Sequence, residues 1–155
     1  MTQISRRSLL ALFAAPLVAA PFVTATKAVA AKPPVFVKDG VAVGGTDVVA
    51  YFTEAKPVEG SQEFSAEQDG ATWLFSSAAN RDAFVADPQT YLPAFGGYCA
   101  FAVSRGYTAP TIPEAWTIYE DRLYLNANLR ARELWLQDIP GNIALGQANW
   151  PSVLG

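Results

Sequence analysis

The side chains of this chain that could do chemistry concentrate in residues 95–107, which have the sequence FGGYCAFAVSRGY. This stretch holds Cys99, the only cysteine. A thiolate is a soft ligand for metals such as copper, and it becomes reactive where a positive neighbour lowers its pKa. Arg105 is the nearest cation in the sequence. Because a free cysteine also packs well as a small apolar side chain, Cys99 could be a metal ligand, a reactive thiol or a structural residue.

The absence of histidine narrows the chemistry considerably. The 155 residues contain none, which excludes a Ser-His-Asp triad and a Cys-His pair and removes the commonest metal ligand. The Gly-Gly pairs at 44–45 and 96–97 lack the spacing of a phosphate-binding loop. No acid and base stand at a recognisable catalytic spacing. We therefore expect a binding protein more than an enzyme.

Asp47 is the second candidate, in the sequence GGTDVVAYF. Its carboxylate could bind a cation together with Cys99, could hold Arg105 or Arg81, or could cap a turn. Tyrosines near the two candidates could line a pocket or donate hydroxyl hydrogen bonds, although aromatic residues at this density also build cores. The predicted binding residues are Tyr98, Cys99, Arg105, Tyr51 and Tyr107, and the predicted metal ligands are Cys99 and Asp47.

The first 30 residues have the three-part layout of an export signal. Arg6 and Arg7 precede an apolar stretch over residues 9–23, and a small-x-small cleavage site follows at 28–30. Paired arginines in SRRSLL are typical of a twin-arginine signal. The stretch is short and broken by prolines, whereas a membrane span needs about 20 apolar residues. We predict a cleaved twin-arginine signal and a periplasmic protein; an ordinary secretory signal and an uncleaved anchor are the alternatives.

Residues 31–155 are predicted to form one domain. This part carries eight basic and fourteen acidic side chains, a net charge of −6, without a basic cluster. Such a balance argues against nucleic acid as a partner and against anionic membranes. A single cysteine allows no internal disulfide, so an aromatic-rich core has to hold the fold. The residues do not indicate an oligomeric state.

The predicted fold class is α+β, a small domain of β-hairpins with short helices and a C-terminal helical segment. Hairpins are expected around the turns at 38–40, 69–70 and 120–122. A helix is expected over residues 78–86, capped by Ser76 or Ser77 and limited by Pro88.

Three further segments have weaker signals. The sequence TDVVAYF is expected to be extended. Residues 97–107 could form a short helix closed by Gly106 or a buried strand, since periodicity cannot separate the two over so short a run. Asn128 is predicted to cap a C-terminal helix. Pro140-Gly141 is predicted to interrupt it before a second helical piece that ends near Trp150.

The sequence GATWLFSSAANRDAFVADPQTYLPAFGGYCA resembles the exported YHS-domain proteins of bacteria, and the similarity extends over about residues 35–154. The resemblance implies a small metal module of hairpin and helix with cysteine ligands. The matching positions are Ala50, Phe75-Ser76 and Asn80, and none is a cysteine. The exported subgroup carries a Gly-Gly-Tyr-Cys-Ala segment, which matches residues 96–100. A closed zinc site needs four protein ligands, and this chain offers one thiol.

Three functional hypotheses follow. In the first, the protein is a periplasmic binding or handling module for a soft metal ion such as copper, or for a small ligand in an aromatic pocket near Cys99. In the second, it is a thiol-based redox enzyme or factor in which Arg105 assists Cys99. In the third, it is an interaction domain with a structural cysteine.

Overall fold

A computed structural model describes residues 31–155, and the predicted signal at 1–30 lies outside the described residues. This part of the chain is an α+β domain with short helices and three two-stranded antiparallel sheets, which confirms the predicted class. The strands are β1 (Val37–Lys38), β2 (Val41–Ala42), β3 (Ser61–Gln68), β4 (Ala71–Phe75), β5 (Trp116–Tyr119) and β6 (Arg122–Leu125). The helices are α1 (Ala50–Thr53), α2 (Ala78–Ala86), α3 (Pro88–Tyr91), α4 (Ala100–Ser104), α5 (Leu129–Leu136) and α6 (Ile139–Asn149).

Each sheet is a hairpin closed by a two-residue turn. The turns are Asp39-Gly40, Asp69-Gly70 and Glu120-Asp121, and all six residues have positive φ. Positive φ at both central residues suits the right-handed twist of the flanking strands. The three predicted hairpins are therefore confirmed, although the first strand begins at Val37 and is shorter than its apolar run.

The predicted helix at 78–86 is confirmed with those bounds. It begins after Ser77 because the Oγ of Ser77 accepts the N–H of Asn80 at 3.1 Å. Of the two possibilities for residues 97–107, the structure has the helix, α4, with Gly106 at φ +86° just beyond it. Asn128 caps α5 as predicted, since its Oδ1 accepts the N–H of Ala131 at 2.8 Å.

One local prediction was wrong, and a second was displaced by about two residues. Residues 50–53 were expected to be extended and instead form α1, because Asp47 Oδ1 accepts the N–H groups of Val49 and Ala50 at 2.9 and 3.2 Å. The C-terminal segment does consist of two helices, and the second ends at Asn149, as predicted. The break falls at residues 137–138, just before the predicted position, and Pro140 lies in the first turn of α6, where its missing N–H is not needed.

One hydrophobic core runs through all three hairpins and reaches α2 and α5. Aromatic pairs dominate it: Phe75 and Phe84 have ring centroids 5.0 Å apart, and Tyr124 and Trp135 have centroids 4.8 Å apart. A turn at Ala94–Gly97 packs against β6, and α4 packs against α6. Within residues 31–155, every helix is too short or too polar to cross a lipid bilayer.

Candidate functional site

Cys99 lies in the interior, with 1 % of its surface exposed. Its thiol donates to Asn126 Oδ1 at 3.6 Å, and its sulfur accepts the N–H of Ala102 at 3.4 Å, so that Cys99 caps α4. Asn126 is itself fully buried and accepts the N–H of Phe101 at 3.1 Å. The polar partners of the sulfur are thus an amide oxygen and a backbone N–H, which position the start of α4.

Arg105, the predicted assistant of Cys99, lies at the opposite end of the same helix. Cys99 is the N-cap and Arg105 the C-cap of α4, which separates their backbones by about 9 Å at the usual rise per residue. The exposed guanidinium of Arg105 lies over the ring of Phe101, 4.7 Å from the centroid. This geometry favours a cation–π contact at the surface over activation of the thiol.

Asp47 is completely buried and is a hydrogen-bond hub. In addition to the two N–H groups at the start of α1, its Oδ2 accepts from the backbone N and the hydroxyl of Ser76, at 2.8 and 2.7 Å, and from Asn80 Nδ2 at 2.8 Å. The carboxylate therefore joins the start of α1 to the end of β4 and the start of α2. The turn-capping role weighed for Asp47 is the one that these contacts support.

The three predicted binding tyrosines do not lie together in one pocket. Tyr51 is buried and donates its hydroxyl to Pro113 O at 2.9 Å. Tyr98 is buried and donates to Pro33 O at 2.9 Å. Tyr107 is 53 % exposed. Burial raises the pKa of Tyr98. Burial is also the main cause of the raised pKa of Tyr51, and the nearby carboxylate of Glu114 raises that pKa further.

Residues 31–155 do not provide a cluster of metal ligands. This part of the chain contains no group of three or more cysteine and acidic side chains placed to hold a metal ion. Cys99 and Asp47 each have their own hydrogen-bond partners. Copper binding at these two residues, like redox chemistry at Cys99, stays a prediction.

The described residues do form a groove elsewhere, next to the Gly96-Gly97 segment. Two hollows of about 390 and 470 Å³ are both lined by Phe95, Arg122 and Trp150. We call the pair the Trp150 groove. The first hollow also includes Trp73 and Gln89, and the second includes Tyr124 and Gln147. Hollows of this size are within the range of small-molecule sites, and their walls combine aromatic rings with charged and amide side chains.

Backbone geometry shapes the shared wall of the Trp150 groove. Phe95 has a left-handed conformation, with φ 55° and ψ 36°. Its ring lies so close to Gly146 of α6 that a Cβ there would come within 2.5 Å of Phe95 Cζ. Trp150 completes the wall, with its ring centroid 6.0 Å from that of Phe95 and 6.2 Å from that of Tyr98. A non-glycine residue in this conformation is strained and persists only where the surrounding packing holds it.

Arg122 is the cation of the Trp150 groove. It is half-buried at the start of β6. Three ion pairs join side chains of residues 31–155, and Arg122 is in none of them. Burial raises the pKa of the nearby Tyr124 phenol. The positive charge of Arg122 acts in the opposite direction but is the smaller effect.

Sequence reasoning missed most of this groove. Phe95 and Gly96 belong to the stretch chosen for Cys99, and Arg122 to a predicted turn, whereas Trp73 and Trp150 were not among the predicted binding residues. A signal was present: Arg122 begins an apolar strand whose neighbours Leu123, Tyr124 and Leu125 are all buried, so its side chain starts from the edge of the core.

Comparison with known proteins adds no relative: no family model, curated protein or solved structure matches this chain.

Proposed function

We propose that this protein is a non-catalytic binding module that holds a small molecule with a flat apolar body in the Trp150 groove. The observation that supports the proposal is that two hollows, of about 390 and 470 Å³, have Phe95, Arg122 and Trp150 as common lining residues. Ligand pockets generally measure about 300–1,000 Å³. One molecule lying across Trp150 would contact both hollows.

The walls explain the choice of a flat apolar ligand. Trp150 is half-buried and supplies the accessible ring surface, backed by the buried rings of Phe95 and Tyr124. Aromatic faces pack favourably against planar molecules in offset or edge contacts. The hollows contain no arrangement of nucleophile and base, because the chain lacks histidine and its thiol is enclosed elsewhere. Binding without catalysis therefore suits this site best.

A periplasmic location and membership of the YHS group belong to the same proposal. The export-type pattern at residues 1–30 supports the first, and the spaced motifs between residues 71 and 100 support the second. A binding protein of the periplasm would meet small molecules that enter through the cell envelope.

The test is a binding titration with N-phenyl-naphthylamine, an uncharged aromatic dye that fluoresces when it leaves water. Gln147 is an exposed residue of α6 that lines the second hollow, and Gln147→Phe should fill that hollow. We expect the parent protein to bind one dye per chain and the variant to bind it at least about tenfold more weakly.

Leu145→Phe is the matched control, since Leu145 is on the same helix, 47 % exposed and outside both hollows. It should bind the dye as the parent does. Gln89→Phe gives an independent block of the first hollow. Dye binding that is equal in the parent, Gln147→Phe and Gln89→Phe, or absent from the parent, would refute the groove as the binding site.

A further inference from the structure

We infer that the ligand of the Trp150 groove carries an anionic group, such as a carboxylate or a sulfonate, which pairs with Arg122 while its flat apolar body lies against Phe95 and Trp150. This inference rests on the proposed function and specifies its ligand class. It assigns to Arg122 the role of an anion anchor.

The guanidinium of Arg122 favours an anionic ligand. Arg122 is half-buried, and it takes part in none of the ion pairs found within residues 31–155. A planar guanidinium with five donors binds a carboxylate or sulfonate through parallel hydrogen bonds. Such a group is better satisfied by an anionic ligand than by an apolar one.

The position of Arg122 in the groove also favours an anionic ligand. Among residues 31–155, three line both hollows: the cation Arg122 and the aromatic pair Phe95 and Trp150. If the anionic group of the ligand binds Arg122, the rest of the ligand lies next to the rings of Phe95 and Trp150 in either hollow. The conformation of this wall is set by the left-handed backbone of Phe95 and by the close approach of its ring to Gly146.

The acids of the groove do not replace Arg122. Asp69 lines only the first hollow and Glu120 only the second. Both are exposed and belong to hairpin turns, where water solvates a carboxylate well. Arg122 is thus the charge common to both hollows. A cationic ligand would instead depend on one of the two acids, and the experiment separates the cases.

The experiment compares two dyes with the same aromatic skeleton. Anilinonaphthalene sulfonate carries one anionic group, and N-phenyl-naphthylamine carries none. With Arg122→Gln we expect binding of the sulfonate to weaken at least about tenfold more than binding of the uncharged dye does. Added salt should weaken binding of the sulfonate to the parent more than to the variant.

Arg130→Gln is the charge-matched control, because Arg130 is exposed and pairs with Glu133 at 3.0 Å away from the groove. It should leave both dyes unaffected. Near-ultraviolet circular dichroism checks that Arg122→Gln is folded. Arg122→Lys keeps the charge but loses the forked donors of the guanidinium, so its affinity for the sulfonate should lie between those of the parent and Arg122→Gln.

The outcomes distinguish this inference from the proposed function. If the uncharged dye binds in the groove but the sulfonate binds equally to the parent and to Arg122→Gln, the anion anchor is refuted and the groove stands. If a naphthalene carrying an amine binds more tightly than the sulfonate and loses affinity in Asp69→Asn or Glu120→Gln, the ligand class is cationic and the inference is overturned. If neither dye binds in the groove, the proposed function fails first.

Discussion

Five donors converge on the carboxylate of Asp47, which is completely buried. They come from three places in the chain: the start of α1, Ser76 at the end of β4, and Asn80 in α2. A buried carboxylate is stable only when its oxygens are hydrogen-bonded, and here they are. The residue thereby fixes how the first helix meets the second hairpin.

Asp47→Asn should lower the free energy of unfolding by about 3 kcal/mol. The new amide would place its N–H₂ opposite the donors of Ser76 or of α1, so that hydrogen bonds are replaced by donor–donor contacts. Urea denaturation measures the change. Asp82→Asn is the control, because Asp82 is an exposed partner of Arg81 and its pair contributes at most about 1 kcal/mol. Similar losses in both variants would show that the carboxylate of Asp47 is not a hub.

At the scale of elements, the turn Ala94–Gly97 connects the beginning of the described chain to the groove. Gly96 O accepts the N–H of Phe36 at 2.9 Å, and Tyr98, just after the turn, donates to Pro33 O. Gly96 has φ +61°, and a Cβ there would lie 1.8 Å from Pro34 O. The turn therefore holds the segment before β1 and one wall of the Trp150 groove at the same time.

Gly96→Ala should cost about 3 kcal/mol or more, because left-handed strain adds to an overlap with backbone that has to move. Gly106→Ala is the matched comparison: its φ is +86° and nothing lies within 4 Å of its Cβ position, so only the strain of about 1–2 kcal/mol remains. Urea denaturation of the two variants gives the difference. A cost for Gly96→Ala no larger than for Gly106→Ala would contradict the close approach to Pro34.

The whole molecule is held by an aromatic core, and three of its tyrosines have pKa values raised chiefly by burial: Tyr51, Tyr98 and Tyr124. In the unfolded chain a tyrosine ionises near pH 10. As the pH rises above this value, the unfolded state releases phenolic protons that the folded state retains. Stability is therefore fully present below about pH 10 and falls above it.

Tyr51→Phe should flatten this alkaline loss of stability, although it removes the hydrogen bond to Pro113 and so costs about 1 kcal/mol at neutral pH. Urea midpoints measured at several pH values between about 8 and 11 give the slope. Tyr107→Phe should leave the slope unchanged, since Tyr107 is exposed. An identical slope in the parent and in Tyr51→Phe would show that Tyr51 does not contribute to it.

The parts of the fold that were predictable from sequence depend on short-range chemistry. Asp-Gly turns, the Ser77 and Asn128 caps and the limit set by Pro88 act within a few residues, and the structure has each of them. The extended prediction for residues 50–53 failed because Asp47 caps a helical turn there. Its remaining partners, Ser76 and Asn80, are about thirty positions away, and that separation hides the full role of the carboxylate from sequence reasoning.

By itself, the sequence determined the α+β class, the three hairpins, both ends of α2 and the start of α5, because turns and caps are local. It also determined that histidine chemistry is absent. Only the tertiary structure decided that Cys99 is enclosed and that the groove forms elsewhere. Trp73, Phe95, Arg122 and Trp150 lie far apart in the chain and meet only when the hairpins and α6 pack together. Such a surface follows from the packing of the whole core, and no local spacing encodes it.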